Sequence, residues 1–272
     1  MGLAVCATPI GNLDDVTLRV LEELRTADLV LCEDTRRTRI LLGRHGIRTP
    51  MLSYHRHNEA SRTAEILPRL LEGARVALAS DAGLPGVSDP GSRLLRAAVD
   101  AGIETTVLPG PSAVETALVA STLGAGSYRF VGYLPRGEPA LRAVWAELAS
   151  APESIVAFES PKRLPRTLGS LAVALPHREV AVCRELTKRF EEVVRGPARE
   201  VAARFVEPPK GEVTLVIGPA AGPAAGGAGA GLERATAAVA ELVAAGIPRR
   251  RAAELVAELA GVSKNRLYRA SL

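Results

Sequence analysis

Apolar residues in the first half of the chain form short uninterrupted runs, separated by segments in which they recur every three or four positions. The uninterrupted runs occupy 3–7, 29–32 and 76–79, and strands are also predicted at 51–54 and 104–108. Such runs are typical of strands covered on both faces, whereas the wider spacing is typical of amphipathic helices. The alternation therefore predicts a mostly parallel sheet with helices on both faces.

The predicted helices between these strands have ends that can be read from a few residues. Asp14 and Asp15 are expected to open the first helix, because acidic residues are favoured in a first turn. The helix after the fourth strand should cover 92–101. In the helix predicted at 60–71, Pro68 should cause a kink or an early end, because proline removes a backbone hydrogen bond.

The Pro-Gly-Pro-Ser segment at 109–112 interrupts the alternation, and we interpret it as a hinge between two domains. Beyond it, the same patterns predict strands at 128–132, 154–158, 179–183, 191–195 and 212–217. The third and fourth of these are close in sequence and should be antiparallel neighbours, since a parallel connection needs a longer crossover. The second sheet is therefore predicted to be mixed.

The C-terminal part of the chain differs in composition from the rest. Residues 218–231 are only glycine, alanine and proline, a composition typical of a flexible linker. Apolar residues at helical spacing follow and predict a small helical module. The predicted organisation is an α/β domain with a parallel sheet at 1–110, an α/β domain with a mixed sheet at 111–218, a linker at 219–231 and a helix-turn-helix-like module at 232–272.

Composition is that of an ordinary globular protein, with 47% hydrophobic and 24% charged residues among 272. No apolar stretch is long enough to span a membrane, and the N-terminus lacks the basic segment of a signal peptide, so we expect a cytoplasmic protein. Cys6, Cys32 and Cys183 lie in apolar runs without disulfide or zinc-ligand spacing. They are predicted to be reduced, buried and structural.

The basic charge of the C-terminal module favours a nucleic-acid partner, whereas the low aromatic content argues against recognition by base stacking. The net charge of +4 is small, but the module at 232–272 carries +3 of it, from seven Lys and Arg residues against four Glu. The arginines at 249–251 repel one another at a helix start, and they are better placed facing phosphates. Aromatic residues are only 3% of the chain, which argues against a base-stacking platform or an aromatic-rich pocket for a flipped base.

Polar, glycine-rich loops follow the predicted strands of the first half. The 80–91 loop holds three glycines, two prolines and two aspartates. In a parallel sheet such loops meet at one edge, where ligands bind. The signatures of a P-loop, a dinucleotide fingerprint, a nucleophile elbow and a histidine metal site are absent. The residues alone thus indicate a two-domain α/β protein with a polar cleft.

Six segments occur in an order that resembles one known family: 8–13, 33–36, 80–83 with 88–91, 109–113, 184–188 and 210–212. Together they resemble the ribosomal RNA small-subunit methyltransferase I family, within the tetrapyrrole-methylase superfamily. The resemblance implies the tetrapyrrole-methylase-like fold, with S-adenosylmethionine in the cleft between two α/β domains. It also implies a homodimer without a metal, which methylates a cytidine 2′-hydroxyl of 16S rRNA at the decoding centre of the small ribosomal subunit.

The resemblance also indicates the residues of the site. S-adenosylmethionine is expected at Pro9, Ile10, Gly11, Asp81, Ala82, Gly83, Leu84, Ser112, Ala113, Phe158, Glu159 and Gly211. RNA is expected at Arg36, Arg37, Arg39, His55, Arg56, His57, Lys188, Arg249 and Arg250. For the arginines at 36–39 the alternative is a solvated helix face.

Transfer of a methyl group to a hydroxyl requires a base that accepts the proton. The candidate catalytic residues are Glu33, Asp34 and Glu185, and His57 and Glu59 are also possible. Asp34 is preferred among them. The alternative for Asp34 is a helix N-cap, because aspartate is a favoured residue at that position.

Two other functions stay open on the sequence. The same fold could methylate a tetrapyrrole ring or another small acceptor. The segment 259–268 looks like a helix-turn-helix, so a DNA-binding regulator is the second alternative. A regulator, however, would not need a catalytic-type body of about 218 residues.

Overall fold

The computed structural model describes residues 2–87, 89–124, 126–220, 230–260 and 263–271. The strands of its first half are β1 Leu3–Cys6, β2 Leu29–Cys32, β3 Met51–Ser53, β4 Val76–Ala79 and β5 Thr105–Leu108. The helices between them are α1 Leu18–Thr26, α2 Thr35–Arg44, α3 Glu59–Leu71 and α4 Ser92–Asp100. All neighbouring strands are parallel, in the order β3-β2-β4-β1-β5, which confirms the predicted parallel sheet.

Side chains of the interior strand β1, which lies between β4 and β5, alternate between two cores. Leu3 and Val5 pack in the cluster that includes α3 and α4, whereas Ala4 and Cys6 pack in the cluster that includes α1 and α2. Every residue of β1 and β4 is buried, as the uninterrupted apolar runs predicted. Burial on both faces fixes the position of the carboxyl ends of these strands, from which the candidate loops begin.

The second half contains β6 Tyr128–Tyr133, β7 Ser154–Glu159, β8 Glu179–Arg184, β9 Glu192–Pro197 and β10 Val213–Ile217. Its helices are α5 Ala113–Ser121, α6 Glu138–Leu148, α7 Leu164–Ala174 and α8 Ala198–Arg204. The strand order is β6-β7-β10-β8-β9. Strands β6 and β7 are parallel and the other neighbours are antiparallel, so the predicted mixed sheet and the predicted β8–β9 pair are confirmed.

The C-terminal module consists of α9 Ala230–Ala244, α10 Arg249–Ala260 and α11 Lys264–Ala270. Its helices share a small core that includes Val239, Val256 and Leu267. Helix α9 begins just inside the segment predicted as linker, and the remaining part at 221–229 lies outside the described residues. Residues 261–262 also lie outside the described residues. None of the described helices is both long enough and apolar enough to cross a membrane.

The predicted start of α1 is wrong for a local reason, whereas the predicted end of α3 at residue 71 is confirmed. Helix α1 begins at Leu18, because the Thr17 hydroxyl accepts a hydrogen bond from the Val20 N–H and caps the helix. Asp14 lies in the loop before it and pairs with Arg44 at 3.0 Å. Helix α3 does not end early at Pro68, because the proline stands in the last turn and little helix remains to be disrupted.

The three cysteines are free and buried. Burial raises the pKa of Cys6 to about 12 and that of Cys183 to about 11, so thiolate is scarce in the folded protein. We expect a disulfide reagent such as DTNB to leave the folded protein unlabelled at pH 8 and to label all three thiols in guanidinium. Fast labelling of any thiol in native buffer would contradict their structural role.

Candidate active site

The loops that follow β1 and β4 are joined at the carboxyl edge of the first sheet. Thr8 and Gly83 exchange two backbone hydrogen bonds of 2.8 and 3.0 Å, and the Thr8 hydroxyl donates to the Ser80 carbonyl at 3.0 Å. Gly83 reaches this geometry with a φ of +79°, which glycine adopts at little cost. The pairing holds both loop backbones at the edge where open α/β sheets bind ligands.

A cavity of about 940 Å³ opens at this edge and is lined by residues that follow strands of both sheets. The volume is at the upper end of the roughly 300–1,000 Å³ typical of small-molecule sites. Its floor is apolar, with Ile10, Val114, Cys183 and Leu186 each at most 7% exposed. The floor can therefore hold an apolar or aromatic part of a ligand out of water.

Six carboxylates are in the described lining of this cavity, and three of them lie in loops that follow strands of the first sheet: Glu33, Asp81 and Asp89. Asp81 is held by its neighbours, since it accepts a hydrogen bond from the Asp34 N–H at 2.9 Å and lies 3.6 Å from the Arg37 guanidinium. Burial, with the charges of Glu33 and Asp81, raises the pKa of Asp89 to about 6. Burial and the Asp81 charge also raise the pKa of Glu33. Both groups take up a proton more readily than ordinary carboxylates.

Aromatic side chains cluster on the opposite wall, which the second sheet forms. Of the nine aromatic residues in the chain, four line the cavity: Tyr128, Phe130, Tyr133 and Phe158. The expectation of an aromatic-poor pocket, drawn from the overall content, is therefore wrong. Composition averages over the chain, whereas folding brings these few rings to one place.

Ten of the twelve residues expected to bind S-adenosylmethionine line the cavity, and Pro9 and Gly11 do not. Gly11 instead packs against the loop after β8. A Cβ atom at Gly11 would lie 2.6 Å from Cγ of Lys188 and 2.9 Å from the carbonyl oxygen of Leu186. Glycine is needed here because the loops of the two sheets approach closely beside the cavity.

Glu159 lines the cavity, but its carboxylate is committed to internal contacts. The side chain is fully buried and paired with Arg163. It also accepts hydrogen bonds of 2.6 Å from the Ser160 N–H and from the Thr167 hydroxyl. These contacts tie the end of β7 to α7 and so support the wall that carries Phe158.

Asp34 occupies the N-cap position of α2, where its carboxylate accepts a hydrogen bond of 2.8 Å from the Arg36 N–H. The alternative considered for Asp34 is thereby confirmed. Hydrogen bonds from the Arg36 guanidinium and N–H hold the pKa of Asp34 below its usual range. A carboxylate of low pKa is a weak base, and Asp34 is not among the residues that line the cavity.

Two other candidate bases, Glu185 and Glu59, are also engaged in hydrogen bonds within the protein, whereas Glu33 lines the cavity. Glu185 has a φ of +53° and accepts hydrogen bonds of 2.9 Å from Lys188 and from the Glu212 N–H, and the Lys188 contact lowers its pKa. Glu59 accepts a hydrogen bond of 3.0 Å from the Gly91 N–H and so anchors the 80–91 loop. Of Glu33, Asp34 and Glu185, the described cavity lining includes only Glu33.

Of the nine residues predicted to contact RNA, Arg37 is the one found in the described cavity lining. Lys188 is engaged with Glu185 and Glu212, each at 2.9 Å, and Arg249 donates to the carbonyl of Ser271. His55 is half-buried against the loop after β3. The remaining side chains are exposed: Arg36, Arg39, Arg56, His57 and Arg250.

Sequence reasoning did not single out Asp89 or Tyr133. Asp89 lies in the loop identified as the candidate site, but nothing in the sequence ranks it above Asp81. For Tyr133, the predicted strand ended one residue too early, at Gly132. Glycine inside an aromatic strand marks a bulge or a close approach, and this was the signal that could have revealed Tyr133.

Comparison with known proteins agrees with this geometry. The family model of Tetrapyrrole (Corrin/Porphyrin) Methylases matches residues 2–202. The crystal structure of uroporphyrin-III C-methyltransferase from Thermus thermophilus, complexed with S-adenosyl homocysteine, superposes with a TM-score of 0.57 at 19% identity, covering 80% of this chain and 97% of that one. The fold and the cavity therefore define a methyltransferase of the tetrapyrrole-methylase class.

Two curated relatives show to which family of this methyltransferase class the chain belongs. The ribosomal RNA small subunit methyltransferase I of Mesorhizobium japonicum is 42% identical over 270 residues, which are 98% of this chain and 90% of that protein. The protein of the same name from Thermotoga maritima is 44% identical over 216 residues, which are 79% of this chain and 97% of that protein. The chain belongs to the ribosomal RNA small subunit methyltransferase I family.

S-adenosylmethionine is the methyl donor of this enzyme family, and the cavity fits it. The apolar floor suits the adenine ring, and the backbone of Ala82 and Ala113 offers polar groups beside it. The carboxylate of Asp81, which also lines the cavity, complements the positive charge of the donor. When bound, S-adenosylmethionine supplies a methyl group on a cationic sulfur, which becomes a neutral thioether after transfer.

Proposed function

We propose that this protein methylates the ribose 2′-hydroxyl of a cytidine in 16S rRNA, at the decoding centre of the small ribosomal subunit. The observation that carries the proposal is a single cavity that contains both the apolar floor suited to S-adenosylmethionine and two carboxylates of raised pKa, Asp89 and Glu33. The family to which the chain belongs supports an rRNA substrate. The carboxylates support a hydroxyl acceptor, because its proton must leave during the transfer.

The roles of the protein's own residues follow from this arrangement. Methyl transfer forms a bond from the 2′-oxygen to the methyl carbon and breaks the carbon–sulfur bond, whose electron pair stays on sulfur. Asp89 accepts the hydroxyl proton, with Glu33 beside it to share the charge change. The two reactants are held in line within one cavity, and this orientation supplies much of the rate.

The experiment that tests the proposal uses small subunits from a strain that lacks the protein. After incubation with the purified enzyme and S-adenosylmethionine, nucleoside mass spectrometry should find a methylcytidine with its methyl group on the ribose fragment. A methyl group on the base fragment would refute the ribose assignment. Methylation of a tetrapyrrole, with none of rRNA, would establish the small-acceptor alternative instead.

The C-terminal module is proposed to hold RNA and to do no chemistry. The Thermotoga relative has no counterpart for about a fifth of this chain, since its match covers 79% of the chain and nearly all of itself. Truncation after Pro219 should preserve the affinity for S-adenosylmethionine. It should weaken binding of the small subunit and flatten its salt dependence, because fewer counterions are released.

Affinities for the small subunit measured across a salt series decide this prediction. Equal affinity and equal salt slope for the full and truncated chains would show that the module does not bind RNA. Light scattering, which measures the oligomeric state, serves as the control. We propose that two copies of the chain form a homodimer through their α/β regions, so the truncated chain should remain dimeric. A shift of the truncated chain to monomers would assign the module to dimer packing.

A further inference from the structure

Tyr133 reaches the cavity through an irregularity in strand β6. Phe130 pairs with Val156 of β7, and Tyr133 pairs with Phe158, so three steps along β6 match two steps along β7. In a regular strand, residues three apart face opposite sides of the sheet. The extra residue, with Gly132 at a φ of +66°, brings both rings to the cavity side.

The ring of Tyr133 packs against Phe158 on one side and is otherwise largely exposed. Phe158 contacts it edge-to-face, with ring centroids 5.7 Å apart, and Phe158 is in turn supported by Phe130 at 4.9 Å. Tyr133 is nevertheless 66% exposed. Among the described residues, none hydrogen-bonds to its hydroxyl, whereas the hydroxyl of Tyr128 donates to Glu115. The arrangement presents a flat, fixed ring to whatever enters the cavity.

The position of Tyr133 separates it from the donor floor. Phe130 and Phe158 are partly buried and pack against the cluster that contains Ile10 and Leu186, whereas Tyr133 is not part of this packing. Tyr133 and Asp89 both line the cavity, and burial together with the charges of Glu212 and Asp89 raises the pKa of Tyr133. A donor buried on the floor leaves this outer part of the cavity to the acceptor, which must enter from solvent.

We propose that Tyr133 forms a nucleobase subsite, in which the pyrimidine of the target nucleotide stacks on the exposed ring. The inference rests on the proposed function and adds to it how the acceptor is held. Stacking on Tyr133 places the base on the aromatic wall and leaves the attached ribose toward the carboxylates across the cavity. The target nucleotide must then be unstacked from its RNA neighbours when it reacts.

Kinetics of Tyr133 variants on small subunits that lack the modification test the proposal. Tyr133→Ala and Tyr133→Leu should lower kcat/KM for the subunit by about 5- to 150-fold, the usual effect of one base–aromatic stack. Tyr133→Phe and Tyr133→Trp should stay close to wild type, because the ring and not the hydroxyl makes the contact. Phe190→Ala removes an equally exposed ring outside the described cavity lining and is the matched control.

Calorimetry with S-adenosylmethionine completes the test. Unchanged donor affinity in Tyr133→Ala, together with the loss in kcat/KM, supports the nucleobase subsite. A weakened donor affinity would assign the ring to the donor, and equal losses in Tyr133→Ala and Phe190→Ala would show a nonspecific effect; either result overturns the proposal. If wild-type protein does not methylate the subunit at all, the proposed function itself has failed.

Discussion

Replacing Asp89 with asparagine should lower the rate of methyl transfer at pH 7 by about 100- to 10,000-fold, the usual contribution of a positioned general base. Asparagine keeps the size of the side chain but cannot take a proton from the 2′-hydroxyl. Single-turnover rates on small subunits measure this effect. The affinity for S-adenosylmethionine should be largely preserved, because the donor is assigned to the floor and to the backbone near Gly83 and Ala113.

The pH dependence of the rate distinguishes a base from a merely structural carboxylate. Wild-type turnover should rise with pH and level off above a pKa of about 6, the value to which Asp89 is raised. The apparent value belongs to Asp89 and Glu33 together, because their charges interact. Asp15→Asn, which removes an exposed carboxylate elsewhere, should change neither rate nor profile. An unchanged profile in Asp89→Asn would exclude Asp89 as the base.

Asp89→Asn should lower the rate of methyl transfer, but it should raise the stability of the fold relative to wild type as the pH rises. The pKa of Asp89 is raised from 3.8 in the unfolded chain to about 6 in the folded one, so folding favours the neutral acid. The stability this contributes is complete below pH 4 and lost as pH rises through 6. Asp89→Asn should therefore gain on wild type in urea denaturation as the pH rises from 4 to 6, and remain the more stable protein above that.

Replacing Glu159 with alanine should lower the free energy of unfolding by about 3 to 5 kcal/mol, the usual cost of removing one partner of a buried ion pair. The change leaves Arg163 without its carboxylate and the Thr167 hydroxyl and Ser160 N–H without their acceptor. Urea denaturation measures the loss. Activity should fall as well, since these contacts support the cavity wall at the end of β7.

Glu147→Ala is the matched control for this prediction. Glu147 also pairs with an arginine, Arg129, but its side chain is 61% exposed. Exposed pairs contribute only about 0.2 to 1 kcal/mol, because water screens and replaces them. If Glu159→Ala cost no more than Glu147→Ala, the carboxylate of Glu159 would be available to a ligand, as the family resemblance first suggested.

The positions of the strands and the class of each sheet could be predicted because they depend on residues that are close together in the sequence. The run at 76–79 is apolar at every position, which is typical of a short strand buried on both faces. The closeness of 179–183 and 191–195 required an antiparallel pair for the same kind of reason. Family motifs, which are also local, identified most of the segments that surround the cavity.

Local sequence also indicated the N-cap at Asp34, as the alternative to a catalytic role. Capping depends on a residue and the next two or three N–H groups, so it is decided within one turn. The same range explains why Thr17 rather than Asp14 set the start of α1. What the sequence by itself determined about this protein is its elements, their caps, the class of both sheets and the family.

The tertiary structure alone decided which carboxylate of the cavity has a raised pKa and which exposed aromatic ring reaches the same cavity. Asp89 owes its raised pKa to burial and to the charges of Glu33 and Asp81, which come from other loops. Tyr133 owes its direction to one extra residue in β6 relative to β7, a relation between two strands. Protonation and side-chain direction are properties of surroundings assembled from distant segments, so no stretch of the chain contains them.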